Sequence, residues 1–229
     1  MSRRQPVAKL STPTPMRRSS GLTATPCRGD GTGLGATFDG RIVLDPSVAE
    51  LIADGFLVGT RVYAPSAPDL EDVPIARGDY VEKELAERVD KPELTGDIVS
   101  HWRRLAERRP TVVFVSSVGH SLHLRDAFQR SGVVAERMDG MNPNEERDAI
   151  FSGLACGAVD VVTNFGVLAE GWDCPSLGCD VLARPTKHRG LFRQMVGRGL
   201  RPADGKVDCL VLDHAGAAYE HGLIEDPLH

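Results

Sequence analysis

Short strand-like runs at 61–64, 111–115, 133–138, 159–163, 180–183 and 208–213 alternate with segments of helical spacing. Strands and helices alternating at this interval cannot pair as hairpins. They require crossovers that return each strand parallel to the others. Thr111-Val-Val-Phe-Val115 is apolar throughout, as a strand buried on both faces of a parallel sheet must be. Leu94, Ile98, Val99, Trp102 and Leu105 fall on one helical face, and Pro110 stops that helix. A helix near 120–130 follows. Asn144 is read as the cap of another helix that runs to about 154, with Gly157 beyond its end. A further helix spans about 188–199, and 46–58 reads as a short helix stopped by Gly55 and followed by an apolar step. The proline-rich, acidic stretch 65–78 reads as a surface connection. The fold class is therefore α/β, a doubly wound, mostly parallel sheet without internal repeats. In such sheets ligands bind beyond the carboxyl ends of the strands, where Ser116, Ser117, Thr163, Asn164 and Arg184 fall.

At 229 residues and 41% hydrophobic content the chain holds one generous domain, or one domain plus an extension. A net charge of −5 argues against affinity from a uniformly basic surface, so any contact with nucleic acid is local. The basic residues gather early: Arg3, Arg4, Lys9, Arg17 and Arg18 all precede the first acidic residue, Asp30. Residues 1–20, rich in Ser, Thr, Pro and Arg, read as a disordered basic segment. Five cysteines without a C-x-x-C pair indicate a reduced, cytoplasmic chain. Cys174, Cys179 and His188 lack a metal-ligand spacing, so no metal site is expected. No apolar run approaches the ~20 residues of a membrane span.

Phe192-Arg-Gln-Met-Val-Gly-Arg-Gly-Leu-Arg-Pro202 carries the chemistry. On a continuous helix Gln194, Arg198 and Arg201 stand at i, i+4 and i+7 and share one stripe, leaving Leu191, Met195 and Leu200 for a core. Guanidinium is always charged and its planar fork matches phosphate oxygens. Two such groups beside an amide point to a polyphosphate. Taken alone, the stripe is also what a solvated basic helix face looks like.

In order along the chain, four motifs resemble those of superfamily 2 DEAD/DEAH-box helicases, in the group related to repair helicases and restriction-enzyme motor subunits. Leu22-Thr-Ala-Thr-Pro26 resembles motif III and Val112-Val-Phe-Val-Ser-Ser117 motif IV. Thr163-Asn164 with Leu168-x-Glu170-Gly171-Trp172-Asp173 resembles motif V, and Gln194-x-x-Gly197-Arg198-x-x-Arg201 motif VI. The resemblance covers about 21–222 and implies a RecA-like helicase C-terminal domain. It implies that Arg198 and Arg201 are arginine fingers on the γ-phosphate of ATP, with Gln194 near the phosphates or the attacking water. Gly171 and Gly197 would allow close approach, Asp173 would bond a ribose hydroxyl, and Glu170 lies in the same loop. Ser116, Ser117, Thr163 and Asn164 would meet the sugar-phosphate backbone, and Thr23 and Thr25 would couple hydrolysis to binding. Taken singly, Thr163-Asn164 is also a strand-ending turn, and Glu170 and Asp173 a solvated loop.

No Walker A loop and no D-E-x-D or D-E-x-H string occurs. The run from Gly199 to Val207 fails as a phosphate loop, because Pro202 is rigid and Val207 stands where Ser or Thr must ligate Mg²⁺. The expected division is 1–20 basic segment, 21–58 remnant of a first lobe, 59–222 RecA-like domain and 223–229 tail. ATP would be shared with a separate first lobe that holds Mg²⁺, and single-stranded or duplex nucleic acid would be the partner, with no membrane. The alternative is a non-catalytic nucleic-acid-binding or interaction module, and an inactive truncated product is a third reading.

Overall fold

The computed structural model describes residues 46–227 apart from 66, 107 and 167–172. The motif III threonines Thr23 and Thr25, and Glu170 and Gly171 of motif V, lie outside the described residues.

The elements in chain order are α1 (Val48–Ala53), β1 (Gly59–Tyr63), β2 (Ile75–Ala76), β3 (Asp79–Tyr80), α2 (Glu82–Val89), α3 (Pro92–Leu105), β4 (Thr111–Phe114) and α4 (Val118–Arg130). Then follow β5 (Ala135–Met138), α5 (Asn144–Cys156), β6 (Val161–Asn164), β7 (Cys179–Leu182), α6 (Arg189–Gly197), β8 (Asp208–Asp213) and α7 (Ala217–His221). Six strands form one sheet in the order β1-β8-β7-β4-β6-β5, and every pairing within it is parallel. The doubly wound architecture expected from the alternation is what forms.

Alternation along each strand builds a three-layer sandwich. Val112, Phe114, Val162, Leu182 and Val211 face one side, where Ile150 and Leu154 of α5 and Phe192, Met195 and Val196 of α6 pack. Val113, Val115, Val161, Val181 and Leu212 face the other, under Ile98, Val99 and Trp102 of α3 and Leu124 and Phe128 of α4. Trp102 meets Phe128 edge-on at 5.4 Å and donates its indole N–H to Thr111 Oγ1 at 2.7 Å, so its polar atom is satisfied inside the core.

The connection at 65–78 contains more structure than composition indicated. β2 and β3 make a hairpin whose two-residue turn, Arg77-Gly78, has positive φ at both positions (54° and 85°). That is the type I′ geometry that matches strand twist. Asp79 then docks the hairpin by accepting from Thr186 Oγ1 at 2.8 Å and from the Lys187 amide at 2.7 Å. The cap of α5 also differs from expectation. Pro143 is the N-cap and Asn144 the first helical residue, because proline's fixed φ ends the preceding loop before the asparagine is reached. Gly157 does end that helix, in the left-handed conformation.

Both flanking segments are sewn to the sheet. The Val58 amide donates to the Leu200 carbonyl at 2.8 Å. Glu225 accepts from the Thr60 amide and hydroxyl at 3.0 and 2.7 Å, and Ile224 is buried. Within 223–227, set apart as part of a tail on sequence grounds, Ile224 is thus buried and Glu225 is bonded to β1. Among the described residues no helix is long and apolar enough to cross a membrane.

Candidate functional site

The residues singled out in the sequence divide between the two ends of the sheet. Asp173, Arg198 and Arg201 gather near the amino ends of β7 and β8. Ser116, Ser117, Thr163 and Asn164 gather at the carboxyl ends of β4 and β6. Four residues of strand, roughly 13 Å, separate the groups. The rule that ligands sit at carboxyl ends locates the second group and not the arginines.

At the amino end, α6 stops at Gly197, two residues earlier than its sequence spacing indicated. Arg198 is the C-cap and keeps helical torsions (φ −72°, ψ −34°). The Gly199 and Leu200 amides then turn back to the carbonyls three residues earlier. Gln194 and Arg198 keep to one stripe, while Arg201 lies past the helix in a bend. There its guanidinium forms an ion pair with Asp173. Met195 and Leu200 are buried and Leu191 packs against the core, as the spacing required. Gln194 is exposed. Among the described residues, a Cβ built at Gly197 would meet nothing within 4 Å, so their packing does not demand glycine there.

The turn rests on a polar floor that the sequence reading passed over. Asp180, the second residue of β7, is fully buried and accepts from the Cys209 thiol at 3.6 Å. Gly199 lies against both groups so closely that a Cβ would fall within 3.0 Å of each. Lys206 lies in the run from Gly199 to Val207 that fails as a phosphate loop. Its ammonium donates to the Arg201 carbonyl at 2.8 Å and the Pro175 carbonyl at 3.0 Å, tying the segment after Arg201 to the one after Asp173. A carboxylate inside an otherwise apolar strand was the available signal for this floor.

Electrostatics at the turn are finely opposed. Burial and the neighbouring Arg201 both act against the Arg198 charge, Asp173 favours it, and the balance lowers its pKa. Burial pushes the Asp180 carboxyl up to about 8, although the Cys209 thiol, Lys206 and Arg198 pull the other way. In the native state Asp180 thus holds a proton that the unfolded chain releases near 3.8. Between those values the folded form binds more protons, so this group's contribution to stability falls as pH rises from about 4 to about 8. Two histidines act oppositely. Burial pushes His120 and His214 down to about 4, so the stability they contribute is present above 6.5 and is lost as pH falls toward 4. Asp180→Asn removes the opposing contribution. We expect the acid loss of stability between pH 7 and 5 to be steeper in this variant, read from denaturant midpoints.

At the carboxyl end, Ser117 is the N-cap of α4 and accepts from the His120 amide at 3.0 Å. Ser116 is buried, its hydroxyl 3.0 Å from His120 Nδ1. Thr163 is fully buried and shares hydrogen bonds with the Ser121 hydroxyl (2.8 Å) and carbonyl (3.0 Å). Asn164 is buried with Oδ1 lacking a partner among the described residues. Of the four, Ser117 alone is not buried. The hydroxyls of Ser116 and Thr163 are occupied inside the fold.

Residues 90–203 match the helicase conserved C-terminal domain. The chain carries a helicase C-terminal domain. Over 90% of its length it is 34% identical to a Schizosaccharomyces pombe protein assigned as the mitochondrial ATP-dependent helicase irc3, of which it spans 34%. It spans between 30% and 44% of the length of the curated relatives it matches. Among solved structures it resembles a fragment assigned to an HsdR subunit of a type I restriction enzyme from Vibrio vulnificus YJ016. That match has a TM-score of 0.69 and 23% identity, covering 87% of this chain and 40% of the other. It also resembles the ATP-dependent type ISP restriction-modification enzyme LlaBIII bound to DNA, with a TM-score of 0.57 and 19% identity over 84% of this chain and 15% of that one. The parallel six-stranded sheet is that of a RecA-like helicase C-terminal domain.

Proposed function

We propose that this helicase C-terminal domain works as the second lobe of an ATP-dependent superfamily 2 helicase or translocase. The observation that carries the proposal is the turn at 197–201. It sets Arg198 over a buried floor and Arg201 in the bend beyond it, beside a glycine that the packing of the described residues does not require. An environment that disfavours the Arg198 charge is relieved by an anion, and the γ-phosphate of ATP supplies one. Arg198 and Arg201 act as fingers on that phosphate, and Gln194, exposed on the same face, orients the phosphates or the attacking water. Gly197 admits the opposing lobe. ATP brings the transferable phosphoryl group, and a first lobe holds its phosphates and Mg²⁺.

At the other end of the sheet, Ser117 and the first amides of α4 meet a nucleic-acid backbone, with Ser116, Thr163 and Asn164 shaping the turn beneath. Asp173, paired with Arg201, changes partner to a ribose hydroxyl when nucleotide binds. Support for a nucleic-acid partner comes from LlaBIII, a DNA-bound protein of which 15% matches this fold.

The test combines the full chain with an ATP-binding lobe, supplied as a separate polypeptide, and measures ATP hydrolysis with and without single-stranded DNA or RNA. Hydrolysis is expected from the mixture and from neither component alone. A mixture no faster than the first lobe by itself refutes the proposal.

A further inference from the structure

We propose that Met141 is a base-contacting side chain, presented by a rigid loop to a single strand that lies across the carboxyl ends of β4, β6 and β5. The inference rests on the nucleic-acid reading above and names the residue that meets the bases rather than the phosphates.

Met141 is 87% exposed, the most exposed large hydrophobic side chain among the described residues. An isolated apolar residue on a surface is ordinary. The loop that carries this one is not. Asp139, only 1% exposed, accepts from the Met141 amide at 2.8 Å and pairs with Arg137. Its own amide donates to Asn142 Oδ1 at 2.7 Å, and the Asn142 amide returns to the Asp139 carbonyl at 3.3 Å. Arg147, from the first turns of α5, donates to the Gly140 carbonyl at 3.2 Å. Each residue from 139 to 142 is thus held by a bond within the loop or to its flanks, while the Met141 side chain projects into solvent. A loop ordered before its ligand arrives loses little further entropy on binding.

Its position is specific as well. Met138 is in register with Asn164, and the Phe165 amide donates to the Met138 carbonyl at 3.0 Å. β6 lies between β5 and β4, so the loop stands about 10 Å along the sheet edge from the turn that carries Ser117. Glu145 and Glu146 stand in the first turn of α5, four and five residues after Met141, and disfavour phosphate at that turn. What remains for this side chain is the face of a base, and a polarisable thioether makes favourable contact with an aromatic face.

The experiment uses the full chain and fluorescence anisotropy on two oligonucleotides of equal length, one of thymidines and one abasic throughout. Met141→Ala is expected to weaken binding to the thymidine strand about 5- to 10-fold with an unchanged salt slope, and to leave abasic binding unaltered. Met141→Leu is expected to restore most of the loss. Hydrogen peroxide footprinting supplies a second reading. The thymidine strand should protect Met141 from sulfoxide formation, against the buried Met138 and Met195 as internal references. Equal affinity of Met141→Ala and the unaltered chain overturns the proposal, as does an equal loss on the abasic strand. Unprotected Met141 at saturating strand assigns the side chain to some other partner and also overturns it. Absence of salt-sensitive binding by the unaltered chain is a different result, because it removes the nucleic-acid reading itself.

Discussion

Gly199→Ala is expected to cost the domain about 3 kcal/mol or more, enough to lower its yield of folded protein, whereas Gly197→Ala leaves it folded. The two glycines sit two residues apart in the same turn, and their surroundings are opposite. A methyl group at 199 would press into the Cys209 sulfur and the Asp180 carboxylate, both fully buried. Both neighbours are short side chains with no exposure, on the adjacent strands β8 and β7, so relieving the clash requires them to turn inside a packed layer. A methyl group at 197 meets open space among the described residues and gains the helix preference of alanine, worth up to about 1 kcal/mol. Thermal or denaturant unfolding of the two variants reads the difference directly. Cys209→Ala in the Gly199→Ala background should recover part of the loss, because it removes one of the two obstacles. Equal stability of the two glycine variants would show that the turn is not built on this floor.

The second large effect concerns turnover. In the two-component hydrolysis measurement, Arg198→Ala and Arg201→Ala are each expected to lower the ATP hydrolysis rate about 10³-fold, the lower end of what an arginine finger contributes. Arg198→Lys should recover little, since a point charge cannot reproduce a planar fork. Binding of single strands by these variants should stay near normal, because the arginines stand at the opposite end of the sheet from Ser117. Arg201→Ala also releases Asp173 from its ion pair, so it is expected to alter nucleotide affinity along with rate. Stimulated hydrolysis that survives both substitutions would remove the finger assignment.

The core was legible because its signal is local. The apolar run at 111–115 and the face made by Ile98, Val99 and Trp102 each specify an element without help from the rest of the chain, and both pack as their spacing requires. The hairpin at 75–80 was hidden, because two-residue strands carry no periodicity and its turn begins with an arginine forced to positive φ. The short helix α7 was missed for a related reason. Its start is secured by Asp213, whose carboxylate accepts from the amides of Ala215, Ala217 and Ala218, an arrangement that depends on where β8 ends. At the site, the arginines were visible and their floor was not. Asp180 and Lys206 act through tertiary contacts to Cys209, Pro175 and the Arg201 carbonyl, and spacing along the chain does not encode these. The single helical stripe of Gln194, Arg198 and Arg201 failed at its last member, because a tightened turn after Gly197 redirects the chain toward Asp173.

The pairing of β1 with β8 sets a schedule for folding. Thr60 and Glu225 are hydrogen-bonded across 165 residues of chain, and among the described residues β8 is the strand that pairs with β1. Contacts of such separation form late, since the intervening loop must close first. During synthesis β1 emerges ahead of the other five strands of its sheet, and β8 emerges after them all. The central strands β4, β5, β6 and β7 can assemble in between, while the edge of β1 that β8 will occupy stays open to capture by other chains. Holding a nascent chain that ends before residue 208 should therefore leave 59–63 sensitive to protease when the middle of the sheet is already resistant. The strand made first is placed last.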